Sequence, residues 1–346
     1  MLSRSIHRGA LSVLFLALLA AGCSGGRHET TETYYLVASN IDLPYWKAAL
    51  AGLHRAAGDL KVKAEMAGPS TYNPKEQRDM FRTIVAKKPS GILVSVADPE
   101  LLRGEINAAI AAGIPVITLD SDAPASQRLF FIGTNNHQAG MTGGRVLAER
   151  MHRKGNIVVF SIPAQNNLVE RLRGYEAALA NTEIKILQTV DVHGDPTVAF
   201  DKTMEMLDSQ KLKVDGFVCL EATAGKEVAD VLARRKVEGK IVIAMDTDEG
   251  TLDWIEKGGI AATVAQKPFT MAYYGLRVLD DLHHNKPAKL DSNWSQDLQS
   301  PLPAVIDTGS ALIDKSNVSA FRKAAGNPAR TPATLAWLHR GFEKTR

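Results

Sequence analysis

The chain has 346 residues, 45% hydrophobic and 23% charged, with a formal net charge of +3 at pH 7. That length suits two domains of ordinary size, and a near-balanced charge with no basic run excludes nucleic acid as a partner. Two cysteines exclude a disulfide-stapled scaffold, so stability has to come from apolar cores.

Residues 1–22 carry Arg4, His7 and Arg8, then an apolar run over 11–21 that closes in Leu-Ala-Ala-Gly-Cys. The run is too short to cross ~30 Å of hydrocarbon and nothing stops transfer after it, which marks a secretory signal peptide. Leu-Ala-Ala-Gly-Cys resembles the lipobox of bacterial lipoproteins, in which the cysteine, here Cys23, is lipidated and becomes the mature N-terminus. Residues 23–33 are polar and read as a lipidated tether. Without residues 1–22 the chain keeps 324 residues and loses two arginines and no acid, so its net charge is +1. Cys219, the one other cysteine, falls in a predicted buried strand.

From residue 34 strands and helices alternate almost without interruption. Strands are predicted near 34–39, 61–67, 91–96, 114–119, 129–133, 156–161, 184–192, 214–220, 241–245 and 261–265. Helices are predicted near 45–59, 75–88, 99–112, 137–153, 168–181, 197–210, 223–236, 249–257 and 269–285. Such alternation implies parallel sheets with helices on both faces. One further extended segment follows in 304–317.

Three stretches recur at offsets of 122 to 126 residues. The strand, polar loop and helix from Tyr34 return from Asn156, placing Ser161 where Ser39 stands. Gly91 onward returns from Gly216. Residues 114–122 end an apolar strand in Asp120-Ser121-Asp122, and 241–248 end one in Asp246-Thr247-Asp248. The chain therefore reads as an α/β protein of two similar Rossmann-like lobes. The expected boundaries are 34–134 plus 267–292 for the N-terminal lobe and 135–266 plus 293–322 for the C-terminal lobe. Crossings fall near Asn135, Gln266 and 291–293 and form a three-segment hinge; a tail, 323–346, follows. In open α/β sheets ligands bind at the carboxyl ends of strands, so the two Asp-x-Asp clusters are site candidates on facing lobes.

Six motifs in series, YYLVASNIDLPYW, VSVADPE, ITLDSDAP with FIGTNN, NLVERLRGYEAAL, CLEATAG and IAMDTDEGTLDWIEKGGIAATVAQKP, resemble the type I periplasmic sugar-binding proteins of ABC importers, the ribose-binding-like group. The resemblance covers about 34–320. It implies a periplasmic-binding-protein type I fold, a substrate-binding lipoprotein that closes over a monosaccharide, and delivery to an ABC permease in the inner membrane. It implies an exported protein held at the membrane through its lipid alone. A monomer is expected, with no catalytic residue, cofactor or metal.

The candidate ligand-binding residues are Ser39, Asn40, Tyr45, Trp46, Asp120, Asp122, Asn167, Glu221, Asp246 and Gln266. Pro44 suits a first helical turn, and Tyr45 and Trp46 after it can stack on the C–H face of a sugar, although Trp46 could equally pack into a core. Ser39, Asn40 and Asp42 share that loop, and Asn40 and Asp42 also suit a turn. Ionised Asp120 and Asp246 would accept charge-assisted hydrogen bonds from pairs of hydroxyls; the other reading is that they cap the segments that follow. Asp122 and Asp248 are divided between ligand and loop. Glu221 stands where the resembled family has a ligand-contacting amide, and a buried carboxylate needs a partner. Asn167 and Gln266 match ligand or hinge positions.

Two departures bear on specificity. Ribose-binding members carry arginine where this chain has Ser121 and again at Val169, while Arg171 matches a position that is more often structural. A pocket without those arginines is expected to be rich in acceptors and to prefer a neutral sugar, a polyol or an amino sugar. A glycosidase would need a carboxylate pair at fixed separation, but no Gly-x-Ser-x-Gly, zinc spacing or phosphate-cradling loop supports catalysis. A sugar-responsive repressor fails on the export signal and the charge balance. A binding protein coupled to a chemoreceptor or sensor kinase stays open as the alternative to transport.

Overall fold

The computed structural model describes residues 28–29, 31–209, 211–285, 300 and 302–325. The signal peptide and Cys23 lie outside the described residues, as does the tail from 326. In chain order the elements are β1 (Thr33–Val37), α1 (Pro44–Leu60), β2 (Lys63–Ala67), α2 (Pro74–Ala86), β3 (Gly91–Val94), α3 (Pro99–Ala111), β4 (Val116–Leu119) and β5 (Phe131–Gly133). Next come α4 (Asn136–Arg150), β6 (Lys154–Ser161), α5 (Asn166–Leu179), β7 (Glu183–Asp191), α6 (Pro196–Ser209), β8 (Gly216–Cys219), α7 (Ala224–Arg234), β9 (Ile241–Met245), α8 (Glu249–Lys257) and β10 (Ala262–Ala265). The chain continues with α9 (Pro268–His284), β11 (Val305–Asp307), β12 (Ala311–Asp314) and α10 (Val318–Ala325). Each strand and helix predicted before residue 286 is present.

Local chemistry explains many of these boundaries. Proline opens α1, α2, α3 and α9, where its missing N–H would find no helical partner anyway. Asn73 caps α2 by accepting from the backbone N–H of Glu76, and Asp98 caps α3 by accepting from those of Glu100 and Leu101. Strands β3, β4, β8 and β10 are buried at every residue, as expected of parallel strands covered by helices on both faces.

The internal repeat becomes two sheets with the same order, β11-β5-β4-β3-β1-β2 and β12-β10-β9-β8-β6-β7. Position for position, β1 corresponds to β6, β3 to β8 and β4 to β9, the pairs read from the sequence offsets. All pairings are parallel except that of β10 with β12. Each sheet carries its own apolar core. In each lobe, the helix after the first strand packs on the helix that begins at a crossing: α1 on α9 and α5 on α4. Both contacts need glycine. A Cβ on Gly52 would lie 2.1 Å from the carbonyl oxygen of Phe269, and one on Gly140 would press still harder into that of Arg171.

Sheet membership fixes the crossings at 134–135 and 266–267, as expected, and corrects the last. The sequence reading put it at 291–293, within 286–299, which lie outside the described residues, and assigned all of 293–322 to the C-terminal lobe. Val305–Asp307 instead pair with β5 in the first sheet, and Ala311–Asp314 pair with β10 in the second. The last crossing is therefore at 308–310. The extended segment is two strands divided at Gly309, whose φ of +77° lets the chain leave one sheet for the other.

The tether expectation for 23–33 is also modified at its end. Thr33 is the first residue of β1, and Glu32 is buried against the first lobe.

Candidate functional site

Where the carboxyl ends of β1, β4, β6, β8, β9 and β10 converge, the two lobes line a cavity. A neighbouring hollow shares Leu43, Tyr45, Asp246 and Gln266 with it, so the two are one cleft. Of the ten candidate ligand-binding residues, nine line the cavity: Ser39, Asn40, Tyr45, Trp46, Asp120, Asn167, Glu221, Asp246 and Gln266.

Asp120 and Asp246 are the structural equivalents the repeat predicts. Each follows the last residue of its strand and donates its backbone N–H to the next strand, Asp120 to the Ile132 carbonyl at 3.1 Å and Asp246 to that of Val264 at 3.0 Å. Each has left-handed backbone, with φ of 65° and 66°. A non-glycine residue held there costs on the order of 1–3 kcal/mol and persists only where its surroundings require it. Here the same turn occurs once in each lobe and brings a carboxylate to the cavity wall from either side.

The surroundings of the two differ. One oxygen of Asp120 accepts from the Tyr45 hydroxyl at 2.7 Å and the other from the Ser95 hydroxyl at 2.9 Å. Asp246 accepts from Gln266 Nε2 at 3.0 Å, and its other oxygen has no hydrogen bond among the described residues. Burial raises the pKa of both. For Asp246 it outweighs the opposing attraction of Arg171 and the Gln266 hydrogen bond, and with added repulsion from Asp120 and Glu221 it holds the carboxyl at about 7. For Asp120 burial is opposed by Tyr45, Ser95 and Arg171.

Arginine is absent at positions 121 and 169, but Arg171, read as structural, belongs to the cavity as well. Arg171 lines the cavity and is 2% exposed. Its Nη1 donates to the Leu220 carbonyl, Nη2 donates to Asn136 Oδ1 at 2.5 Å, and Nε is buried without a hydrogen bond. It reaches from α5 into the field of Asp120 and Asp246, two residues along the same helix from Val169, one of the two positions where an arginine was sought.

Asp122 is the one candidate the structure takes off the cavity wall. Its oxygens accept from Arg128 Nε and Nη2 at 2.5 and 2.6 Å, from the Thr118 hydroxyl at 2.6 Å and from the Ala123 N–H at 2.7 Å. Little capacity remains for a ligand. Asp248 is used in a similar way, capping α8 through the Thr251 N–H and hydroxyl. In each Asp-x-Asp the first acid lines the cavity and the second braces the loop, although Asp248, unlike Asp122, also borders the neighbouring hollow.

Glu221 finds the partner its burial demands at the start of α7. Its carboxylate accepts from the Thr223 N–H and hydroxyl at 2.7 and 2.8 Å and from the Ala224 N–H at 2.6 Å, a favourable place for negative charge. Burial still raises its pKa. Asn40 and Asn167 spend their carbonyl oxygens locally, on the Asp42 and Leu168 N–H groups, and their amide nitrogens have no protein acceptor among the described residues. Trp46 is 2% exposed and belongs to the first core while also forming cavity wall, with Tyr45 edge-on to it at 5.2 Å. Tyr45 is therefore oriented by Asp120 and Trp46 by the core.

Tyr72 and Gln165, also on the cavity wall, were not singled out in the sequence. Tyr72, in the loop before α2, donates to its own lobe at the Ala97 carbonyl (2.7 Å) yet packs against the core of the other. A Cβ on Gly194, whose φ is +69°, would lie 2.4 Å from the Tyr72 Cβ. The lobes thus touch on the side of the cleft away from the crossings, and the described conformation is closed.

The raised pKa of Asp246 sets the sign of its pH effect. The folded chain holds this proton more tightly than an unfolded one, so the associated stability is complete below pH 3.8 and is lost as pH rises through about 7. Thermal melts of the ligand-free protein should show this loss over that interval, and Asp246→Asn should reduce it. An equal slope in the variant would place the titration elsewhere.

A family model described as periplasmic binding protein domain matches residues 34–287. The chain is 21% identical over 293 residues to the ribose import binding protein RbsB of Salmonella typhimurium, covering 84% of this chain and 97% of that one. Among solved structures, the sugar-binding protein of a sugar ABC transporter from Bacillus halodurans is 34% identical with a TM-score of 0.72, covering 84% of this chain and all of that one. AraP, an arabinose binding protein from Geobacillus stearothermophilus, is 32% identical with a TM-score of 0.68, covering 84% and 99%. With two parallel-sheet lobes, three crossings and a cleft between the strand ends, the chain belongs to the periplasmic binding protein domain family, in its type I form.

Proposed function

We propose that the protein captures a small polyhydroxylated ligand, a monosaccharide, polyol or amino sugar, by closing its two lobes, and delivers it to an ABC permease. The observation that carries this reading is the pair Asp120 and Asp246, held in the same left-handed turn on opposite lobes of one closed cavity. Names of relatives add support, since one is a ribose import binding protein and another an arabinose binding protein.

The cavity chemistry suits hydroxyl groups, each of which can donate and accept at once. Asp246 and the unpaired Gln266 Oε1 accept. Arg171 Nε and the Asn40 and Asn167 amide nitrogens donate. The buried charge remains on balance acidic, with Asp120, Glu221 and Asp246 against Arg171. An anionic ligand would meet this field in a medium of low dielectric, where repulsion is strong. A hydroxyl or ammonium donor would instead contribute on the order of 1.5–3 kcal/mol at each carboxylate.

Titration calorimetry over pentoses, hexoses, polyols, amino sugars and their phosphates tests the ligand class. A neutral or amine-bearing compound should bind and sugar phosphates should not. Asp246→Ala should weaken that ligand by at least roughly tenfold, about 1.4 kcal/mol. Tight binding of a sugar phosphate, or full affinity in the variant, contradicts the assignment; delivery is supported if cells lacking the protein stop taking up the same sugar.

The lipid anchor is proposed on the Leu-Ala-Ala-Gly-Cys sequence. Cys23→Ser should release the protein from the membrane fraction with ligand binding intact, whereas wild-type protein found wholly in the soluble fraction would remove the anchor.

A further inference from the structure

Two histidines and two carboxylates meet at the far end of the first lobe. Asp280 and His284 lie one turn apart at the end of α9, a helix of 17 residues and therefore ~25 Å long, whose other end lies beside the cleft. His28 and Glu32 come from the segment that leads into β1. His28 Nδ1 is 3.2 Å from Asp280 Oδ1 and 3.5 Å from Glu32 Oε2, and His284 Nε2 is 3.1 Å from Glu32 Oε1. One donor atom from each of the four residues falls within 4.8 Å of the others.

Hydrogen bonds account for only part of this cluster. Glu32 and Asp280 are 5% and 6% exposed, and two carboxylates so close and so buried require positive charge between them. Glu32 Oε1 accepts from the Glu29 N–H at 2.7 Å, but Oε2 is buried with no hydrogen bond, and so is His28 Nδ1. His284 Nδ1 lies 2.8 Å from the Asp280 carbonyl oxygen. A carbonyl only accepts, so Nδ1 carries a proton, and in the neutral ring the Nε2 lone pair faces the Glu32 carboxylate. That opposition is relieved by a cation on Nε2. The backbone hydrogen bond is also the outer-shell contact that fixes the tautomer of a metal-binding histidine, and the Tyr34 hydroxyl, donating to Asp280 Oδ1 at 3.2 Å, orients a second ligand.

We propose that His28, Glu32, Asp280 and His284 bind a divalent transition-metal ion, zinc being the best match, which clamps the incoming N-terminal segment to the end of α9. Two imidazoles and two carboxylates suit zinc, and a tetrahedron with bonds of about 2.0–2.1 Å has edges of ~3.3 Å, close to the separations already present. The charge of the ion cancels the two buried carboxylates. The sequence reading expected no metal because it sought short ligand spacings, and these ligands come as two i, i+4 pairs about 250 residues apart.

The test uses the full chain stripped by chelator and titrated with Co²⁺, then Zn²⁺. One equivalent of Co²⁺ should produce visible absorption bands of four-coordinate geometry, and one equivalent of Zn²⁺ should abolish them. His28→Ala should lower affinity at least roughly tenfold, and the His28→Ala/His284→Ala protein at least roughly a hundredfold. His54→Ala/His152→Ala, which alters only exposed histidines, should bind as wild type. Neither histidine is buried as Glu32 and Asp280 are, and the single His28→Ala variant keeps the test valid if the double variant does not fold. Failure of the wild type to saturate near one equivalent, or unchanged affinity in His28→Ala, overturns the site. Sugar binding is measured on the same samples and should be unchanged, so that the clamp and the cleft are judged separately.

Discussion

A guanidinium buried to 2% exposure has to be answered by acceptors and negative charge, and Arg171 organises the cleft through that requirement. Its hydrogen bonds run to the Leu220 carbonyl beside Glu221 and to Asn136 at the start of α4, while its field reaches Asp120 in one lobe and Asp246 in the other. Removing one partner of such a buried set typically costs 3–5 kcal/mol, because the charge left behind is uncompensated. Asp120, Asp246 and Arg171 are therefore interdependent across the lobes. In the closed conformation Arg171 offsets part of the negative charge that the two lobes bring together.

The packing that places Arg171 is itself constrained. Helix α5 lies against α4 closely enough that Gly140 meets the Arg171 backbone carbonyl, which sets where the side chain begins. The left-handed turns at Asp120 and Asp246 set where the acids begin. Both devices place a side chain through the backbone it grows from, and a rigid backbone is what lets a small cavity tell hydroxyl positions apart. The lobes, each with its own core, are joined by crossings at 134–135, 266–267 and 308–310 and touch again where Tyr72 meets Gly194.

Much of this was legible in the sequence. Apolar strands with polar ends, repeated at offsets of 122 to 126 residues, revealed the two sheets, the facing strand ends and the leading acids, because strand burial and strand-end polarity are properties of contiguous residues. What escaped depends on side chains that travel. Asp122 stayed divided between ligand and loop because nothing in Asp-x-Asp says that Arg128 folds back onto the second acid. Arg171 was set aside because its helix position alone does not show that its guanidinium extends to the floor of the cavity. The last crossing was misplaced because Val305–Asp307 and Ala311–Asp314 read as one extended segment, and only pairing reveals that they belong to different sheets. Tyr72 carries no local signal: its role comes from closure, which places it on the other lobe.

If Asp120 and Asp246 hold one ligand between the lobes, a crystal structure grown with the sugar that binds best will show a single ring in the cleft, hydroxyl oxygens within hydrogen-bond distance of both carboxylates, and the lobes in contact at Tyr72 and Gly194. A ligand bound elsewhere, or held in the cleft without contact to either aspartate, would contradict that role for the pair.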